Sequence, residues 1–259
     1  MKKLVFSGIA AIALGTTAFA ADMNVPIKAP PPMVMPPPPY NWNGFYIGGH
    51  VGWAWGHHDI DSYNYNTGVL VNTVGFDANG VFGGGQIGYN FVFAPNWLLG
   101  FEFDGSATGI STNPTGCDAL GCSAGHFVDN DFGTGRARLG YIAGPTLFYG
   151  TGGWAWNETH NSRTITCVGT TCPGTSPLVG QVASASGFEN GWSAGGGIEW
   201  GFAPGWSAKV EYLHLQFDNV TRDFLYTPAT ASRHEVSNNS IDTVRIGVNF
   251  HFLPFGLMR

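Results

Sequence analysis

Eight charged residues recur at matched positions of alternating segments: Glu102 and Asp104, Arg136 and Arg138, Glu199, Lys209 and Glu211, and Arg245. Three segments hold two of them, each pair two apart, so both members share one face if the segment is a strand; Glu199 and Arg245 fall on the matching face of theirs. Four acids and four bases on one face can neutralise one another. Arginine binds a carboxylate through two parallel hydrogen bonds, which fixes geometry as well as charge. If that face is enclosed, pairing is required, because a lone buried charge is costly.

Other reactive residue types are present in weaker patterns. Cys117 and Cys122 form one C-x4-C pair, and Cys167 and Cys172 form another. In an exported chain these predict two local disulfides, 117 with 122 and 167 with 172, over a shared zinc site; C-x-x-C redox spacing is absent. His57, His58, His126, His160 and His234 fall in stretches expected to be surface loops, where scattered exposure is the plain reading and collection of a transition metal or haem iron the sharper one. His50 and His251 are expected to point inward as hydrogen-bonding groups. A lipid-modifying enzyme would need Ser, His and a carboxylate to converge. Parity puts Ser193 inward and His214 outward, and no G-x-S-x-G occurs, so no catalytic residue is assigned. No cofactor and no metal are expected.

The elements that must position these groups are strands. In GFYIGGHVGWAW, residues 44–55, Phe45, Ile47, Val51, Trp53 and Trp55 take odd positions and small residues lie between them. That is the period of a strand with two unlike faces. Eight such segments lie near 44–56, 81–93, 97–106, 132–142, 147–156, 191–201, 206–215 and 242–252. Short proline-bearing links, FAPNW, AGPTL and FAPGW, join three pairs. Long polar stretches, near 57–80, 107–131, 157–190 and 216–241, join the rest. At an offset of 109 residues Trp97 and Glu102 match Trp206 and Glu211, so two hairpins are built alike.

Composition sets the environment. Charged residues are 11% of the chain, against about 25% in ordinary soluble domains. The chain opens MKKLVFSGIAAIALGTTAFA, with basic, apolar and A-x-A parts in order, which predicts a signal peptide over residues 1–20. No later run is long and apolar enough for a membrane helix. A closed barrel is the other way to satisfy a backbone in lipid. The expected architecture is therefore all-β: an eight-stranded antiparallel transmembrane β-barrel over 41–252, with short periplasmic turns and four long extracellular loops. Trp53, Trp55, Trp97, Trp154, Trp156, Trp192, Trp200 and Trp206 suit the aromatic girdles at the two interfaces. The eight charges then face a lumen only wide enough to be filled by side chains. Residues 21–40 hold eight of the chain's sixteen prolines from position 24 onward and read as a polyproline linker on the periplasmic side, inert or tethered to peptidoglycan or envelope proteins.

The formal net charge of −6 argues against a nucleic-acid partner. Twelve acids fall in or beside the expected loops: Asp59, Asp61, Asp77, Asp118, Asp129, Asp131, Glu158, Glu189, Asp218, Asp223, Glu235 and Asp242. Only Arg163, Arg222 and Arg233 oppose them there, so the outer end should be negative, favouring divalent-cation bridging to lipopolysaccharide or cationic partners over polyanions.

The start NWNGFYIGGHVGW, the segments GTGRARLGY and KVEYLHL, and the last strand TVRIGVNFHF resemble the outer membrane protein 25/31 group of alphaproteobacteria, small barrels of the opacity-protein and OmpA-like class. The resemblance covers nearly all of 40–252. It implies an abundant protein of the Gram-negative outer membrane that supports envelope integrity and is exposed as an antigen, with a porin-like channel as the alternative. It also implies recognition by the barrel-assembly machinery through a terminal aromatic residue. That residue would be Phe252, although LPFGLMR, 253–259, extends past it.

Overall fold

The computed structural model describes residues 39–113, 115–118, 121–168, 179–225 and 232–252. The expected signal peptide, most of the linker, Cys172 and the extension 253–259 lie outside them. The described residues form strands, turns and short connecting stretches, and no helix among them is long and apolar enough to cross a membrane.

Ten strands are present where eight were expected. They are β1 Gly44–Asn64, β2 Leu70–Ala94, β3 Trp97–Thr112, β4 Thr115–Asp118, β5 Gly121–Ala143, β6 Thr146–Val168, β7 Val182–Ala203, β8 Trp206–Phe217, β9 Val220–Phe224 and β10 Arg233–His251. All pairings are antiparallel, and β1 pairs with β10, so the sheet closes into a ring. The path β1-β2-β3-β5-β6-β7-β8-β10 returns to β1, while β4 pairs with β5 and β9 with β10. The two short strands continue interrupted ones. Along β5, Phe127–Tyr141 faces β3 and Gly121–Ala124 faces β4. Along β10, Ser240–Phe250 faces β8 and Arg233–Ser237 faces β9. Pro114, which has no N–H to give to a ladder, lies in sequence between β3 and β4.

The stretches expected as long loops are largely strand, which corrects that reading. β1, β2, β5, β6, β7 and β10 run 19 to 25 residues. Crossing a bilayer takes only about 9–11. The surplus, about ten residues at ~3.3 Å each, carries the wall on the order of 30 Å beyond the apolar belt. Asn, Thr, Ser and Gly read as loop in sequence. Here their backbones are satisfied by the ladder, with outward polar side chains meeting water and inward ones such as Thr159 and Asn239 buried, so alternation continues where hydrophobicity stops.

One end of the barrel is made by three two-residue turns at Pro95–Asn96, Gly144–Pro145 and Pro204–Gly205. Gly144 and Gly205 adopt φ of 62° and 75°, the left-handed region that glycine enters without penalty. Above them the outward face is a belt of large apolar groups, among them Phe45, Ile47, Val51, Ile87, Phe101, Phe103, Leu139, Phe148, Ile198, Val210 and Ile246. Trp97, Trp200 and Trp206 border the belt near the turns. Trp53, Trp55, Trp154 and Trp192 border it on the far side, and all seven are exposed. Trp156 is half-buried and stacks on Phe188.

Candidate functional site: a charged lumen between apolar layers

The interior can be read along β10, whose odd-numbered side chains point inward. From the turn end these are His251, Asn249, Gly247, Arg245, Thr243, Ile241, Asn239, Ser237 and Glu235. All the side chains in this series are buried.

At the turn end lies an aromatic and aliphatic layer of Trp42, Leu98, Leu147 and Tyr149. Above it are the eight charges that the alternation placed on one face, all buried and brought together. Arg136 contacts Glu102 at 2.6 Å, Asp104 at 2.9 Å and Glu211 at 3.0 Å. Arg245 reaches Asp104 at 3.1 Å and donates through Nε to Glu211 at 2.5 Å. Lys209 Nζ lies 2.9 Å from Glu102. Arg138 reaches Glu199 at 3.1 Å and donates twice to Asn90 Oδ1, at 2.9 and 2.7 Å. Its guanidinium also sits 4.6 Å from the Tyr46 ring centre and 5.3 Å from that of Tyr149, in cation–π range. The network is balanced and its charges come from five strands, so acids meet bases delivered from across the lumen.

Neutral groups complete it. The Tyr46 hydroxyl donates to Glu102 at 2.7 Å, and the Thr134 hydroxyl donates to Asp104. Asn249 donates to Glu199 at 2.7 Å. His50 points inward between Gln86 at 2.9 Å and Ser106 at 2.7 Å. Several inward positions are glycine because these side chains need the room. A Cβ on Gly88 would lie 2.2 Å from the Tyr46 hydroxyl, and one on Gly100 2.6 Å from Asn90 and 2.9 Å from Arg138.

Over the network lies an apolar septum of Phe82, Phe132, Leu213, Leu215, Phe217 and Ile241, with Ala54, Ala78 and Ala155. Beyond it is a second polar layer that sequence reasoning missed. Glu189 pairs with Arg222 at 2.6 Å and accepts twice from Asn239 at 2.9 Å. Arg222 also donates to Ser237 and Thr159, and Arg163 meets Glu235 at 2.9 Å. His58 is buried against Asn239. Glu189, Glu235, Arg163, Arg222 and His58 were expected in surface loops, and they instead face inward. The strands persist past the septum and keep the same parity. Glu235 shares the odd parity of Arg245 on β10, and Glu189 that of Glu199 on β7, which is the signal that would have found them. A third apolar group, Ile165, Ala183 and Phe224, packs beyond.

On the outer wall above the belt, histidines and acids meet across neighbouring strands. His57 faces Asp77 at 2.6 Å, His214 faces Asp242 at 2.8 Å and His234 faces Asp223 at 2.6 Å. The Asp77 carboxylate raises the pKa of His57 by accepting its ring hydrogen bond. His126 bonds Asn113, and His160 is exposed. Among the described residues no group of three or more His, Cys, Asp or Glu gathers as a metal site.

The chemistry available to the lumen is ion pairing. Ser207, His251 and Glu199 do meet, with His251 Nε2 3.0 Å from Ser207 Oγ and 3.2 Å from Glu199. Both contacts use one ring nitrogen, and Nδ1 has no partner. A nucleophile–base–acid relay needs the acid on the opposite nitrogen. Ser193 is buried inside, while His214 stands outside against Trp192, so those two do not converge.

In the ladder, Cys122 lies opposite Cys117 on β4 and opposite Cys167 on β6. Phe252 is exposed just past β10, and its N–H bonds the Phe45 carbonyl at 2.8 Å.

Comparison with known proteins agrees with this architecture. Residues 10–252 match the family model of the outer membrane protein beta-barrel domain. The chain is 31% identical to the 31 kDa outer-membrane immunogenic protein of Brucella melitensis biotype 1, over 97% of this chain and 100% of that one. It is 28% identical to the 25 kDa outer-membrane immunogenic protein of Brucella canis, over 97% and 99%. Among solved structures, the outer membrane protease OmpT of Escherichia coli is similar in fold alone, with a TM-score of 0.51 at 10% identity, covering 81% of this chain and 97% of that one. The chain is thus an outer-membrane protein of the beta-barrel domain family, within the 25/31 kDa immunogenic group.

Proposed function

We propose that this protein is a sealed outer-membrane barrel whose task is structural and surface-presenting: it anchors in the bilayer and displays a tall, polar wall and its loop tips as an antigen- or adhesin-like face. The observation that carries this is the lumen, occupied by a balanced charge network under an apolar septum. A porin needs a continuous wet path and a barrel enzyme a convergent reactive set. Neither fits a filled interior. In this reading the eight-strand ring crosses the membrane with its two-residue turns in the periplasm and its long extension outside.

The partners proposed follow from the outer surface. Asp59, Asp61, Asp77, Asp223 and Asp242 face outward beyond the belt, a pattern suited to divalent-cation bridging with lipopolysaccharide phosphates. Phe252 would serve the assembly machinery, and the proline-rich linker would meet peptidoglycan or envelope proteins. We pair Cys117 with Cys122 and Cys167 with Cys172. Asp118 and Gly121 face each other with two residues between them in sequence, which makes 117/122 the next, narrow pair of the β4–β5 ladder. Such pairs hold their Cα atoms about 4.5 Å apart, within disulfide range.

The test is twofold. Protease shaving of intact cells should cut the tips around residues 65–69, and liposomes containing the protein should not swell in small sugars. Swelling at porin-like rates would favour the channel reading, and tips protected in intact cells would reverse the orientation.

A further inference from the structure

The charge network is closed from the turn end by residues that belong to no strand. Tyr40 and Trp42 precede β1 and sit in the mouth of the barrel. Trp42 is only 2% exposed and packs with Leu98, Leu147 and Tyr149. The rings of Tyr40 and Trp42 are 4.5 Å apart, and both meet His251 edge-on, at 5.8 and 5.6 Å. His251 in turn touches Glu199 and Ser207 of the lumen. The wall is shaped to receive them, since a Cβ on Gly201 would lie 2.3 Å from the Tyr40 ring.

Three further facts bear on whether this closure is fixed. The segment makes no ladder pairing, because the strand begins at Gly44. Gly44 itself adopts φ of 122°, a conformation that L side chains rarely take, which places a glycine hinge between the plugging residues and β1. And Trp42 Nε1, Tyr149 Oη and His251 Nδ1 are buried without hydrogen-bond partners. A buried donor or acceptor left unmade opposes closure, and each of these atoms would regain a partner in water if the plug withdrew.

We infer that Tyr40 and Trp42 form a removable stopper, hinged at Gly44, that keeps water from His251 and the lower side of the charge network. The stopper leaves the barrel wall and the septum intact when it moves. It is therefore distinct from the septum, and only the side of the membrane it faces rests on the proposed orientation.

The experiment uses the full chain in lipid and a native reporter. Diethyl pyrocarbonate modification of His251, mapped by peptide mass spectrometry, should be slow in the wild type and at least tenfold faster in Trp42→Ala. Gly201→Ala, which displaces Tyr40 from the opposite side, should do the same. In both variants the heat-dependent gel shift of the closed barrel should persist, and His50, deeper in the lumen, should stay protected. Fast modification in the wild type, protection of His251 in both variants, or loss of the gel shift together with exposure would each overturn the inference. Bilayer conductance of the wild type would count against the sealed-barrel function and, because the path leaves through the mouth that Tyr40 and Trp42 fill, against a closed stopper as well; fast His251 modification without conductance would count against the stopper alone and leave the septum as the seal.

Discussion

Arg138 shows what a buried charge requires in this barrel. Its guanidinium is held by Glu199, by Asn90 and by the faces of Tyr46 and Tyr149, with almost no contact with solvent. Truncation leaves Glu199 with fewer partners in a dry layer. Breaking one member of a buried pair costs about 3–5 kcal/mol. Arg138→Ala should therefore lower the urea midpoint of the gel-shift transition strongly, whereas Glu158→Ala, on the exposed wall, should leave it within about 0.5 kcal/mol of wild type. Equal effects of the two would show that the network contributes little. His57 offers a contrasting case in water. Its folded pKa lies above the ordinary value of about 6.5, so the charged pair with Asp77 favours the folded wall below that pH and fades as pH rises through the raised pKa. NMR titration should find the His57 pKa above the ordinary value, and Asp77→Asn should bring it down. An unchanged pKa in that variant would remove Asp77 as the cause.

At the scale of the strand, glycines fall into two classes that sequence does not separate. Inward glycines such as Gly88 stand where a methyl group would strike the lumen side chains, whereas Gly105, outward on β3, has open space around its Cβ position. Gly88→Ala should destabilise the barrel by about 1–3 kcal/mol through overpacking. Gly105→Ala should be neutral or stabilising by up to about 1 kcal/mol, because glycine in a strand carries extra unfolded-state entropy. Urea titrations of the two single variants decide it, and equal losses would mean that outward glycines are also packed against something. Strand parity was legible because the apolar residues alternate with a period of two, and it was enough to bring Glu102, Arg136 and Arg245 to one place. Strand length was not legible. Beyond Trp55 the outward residues are His57, Asp59 and Asp61, so the hydrophobic mark of a strand disappears although the ladder with β2 and β10 continues to residues 63 and 64. The upper network was missed for that reason, and Trp42 because the proline-rich composition before it reads as linker up to its last residue.

For the whole molecule, the important feature is the order of layers rather than any single contact. A polar layer alone can hydrate and leak. Here a charge network lies between the Trp42–Leu147 layer and the Phe82–Leu215 septum, and a second polar layer lies under Ile165 and Phe224. Water crossing the barrel would have to pass three apolar layers and separate buried ion pairs. The same stacking braces the long wall from inside, as the proposed surface-presenting role requires. The most direct test is single-channel recording of the refolded wild-type protein in a planar bilayer, beside a variant that charges the septum, Leu213→Asp with Leu215→Asp. The account predicts no conductance steps from the wild type and measurable leak from the variant. Stable conductance steps from the wild type, unchanged in the variant, would contradict a sealed lumen.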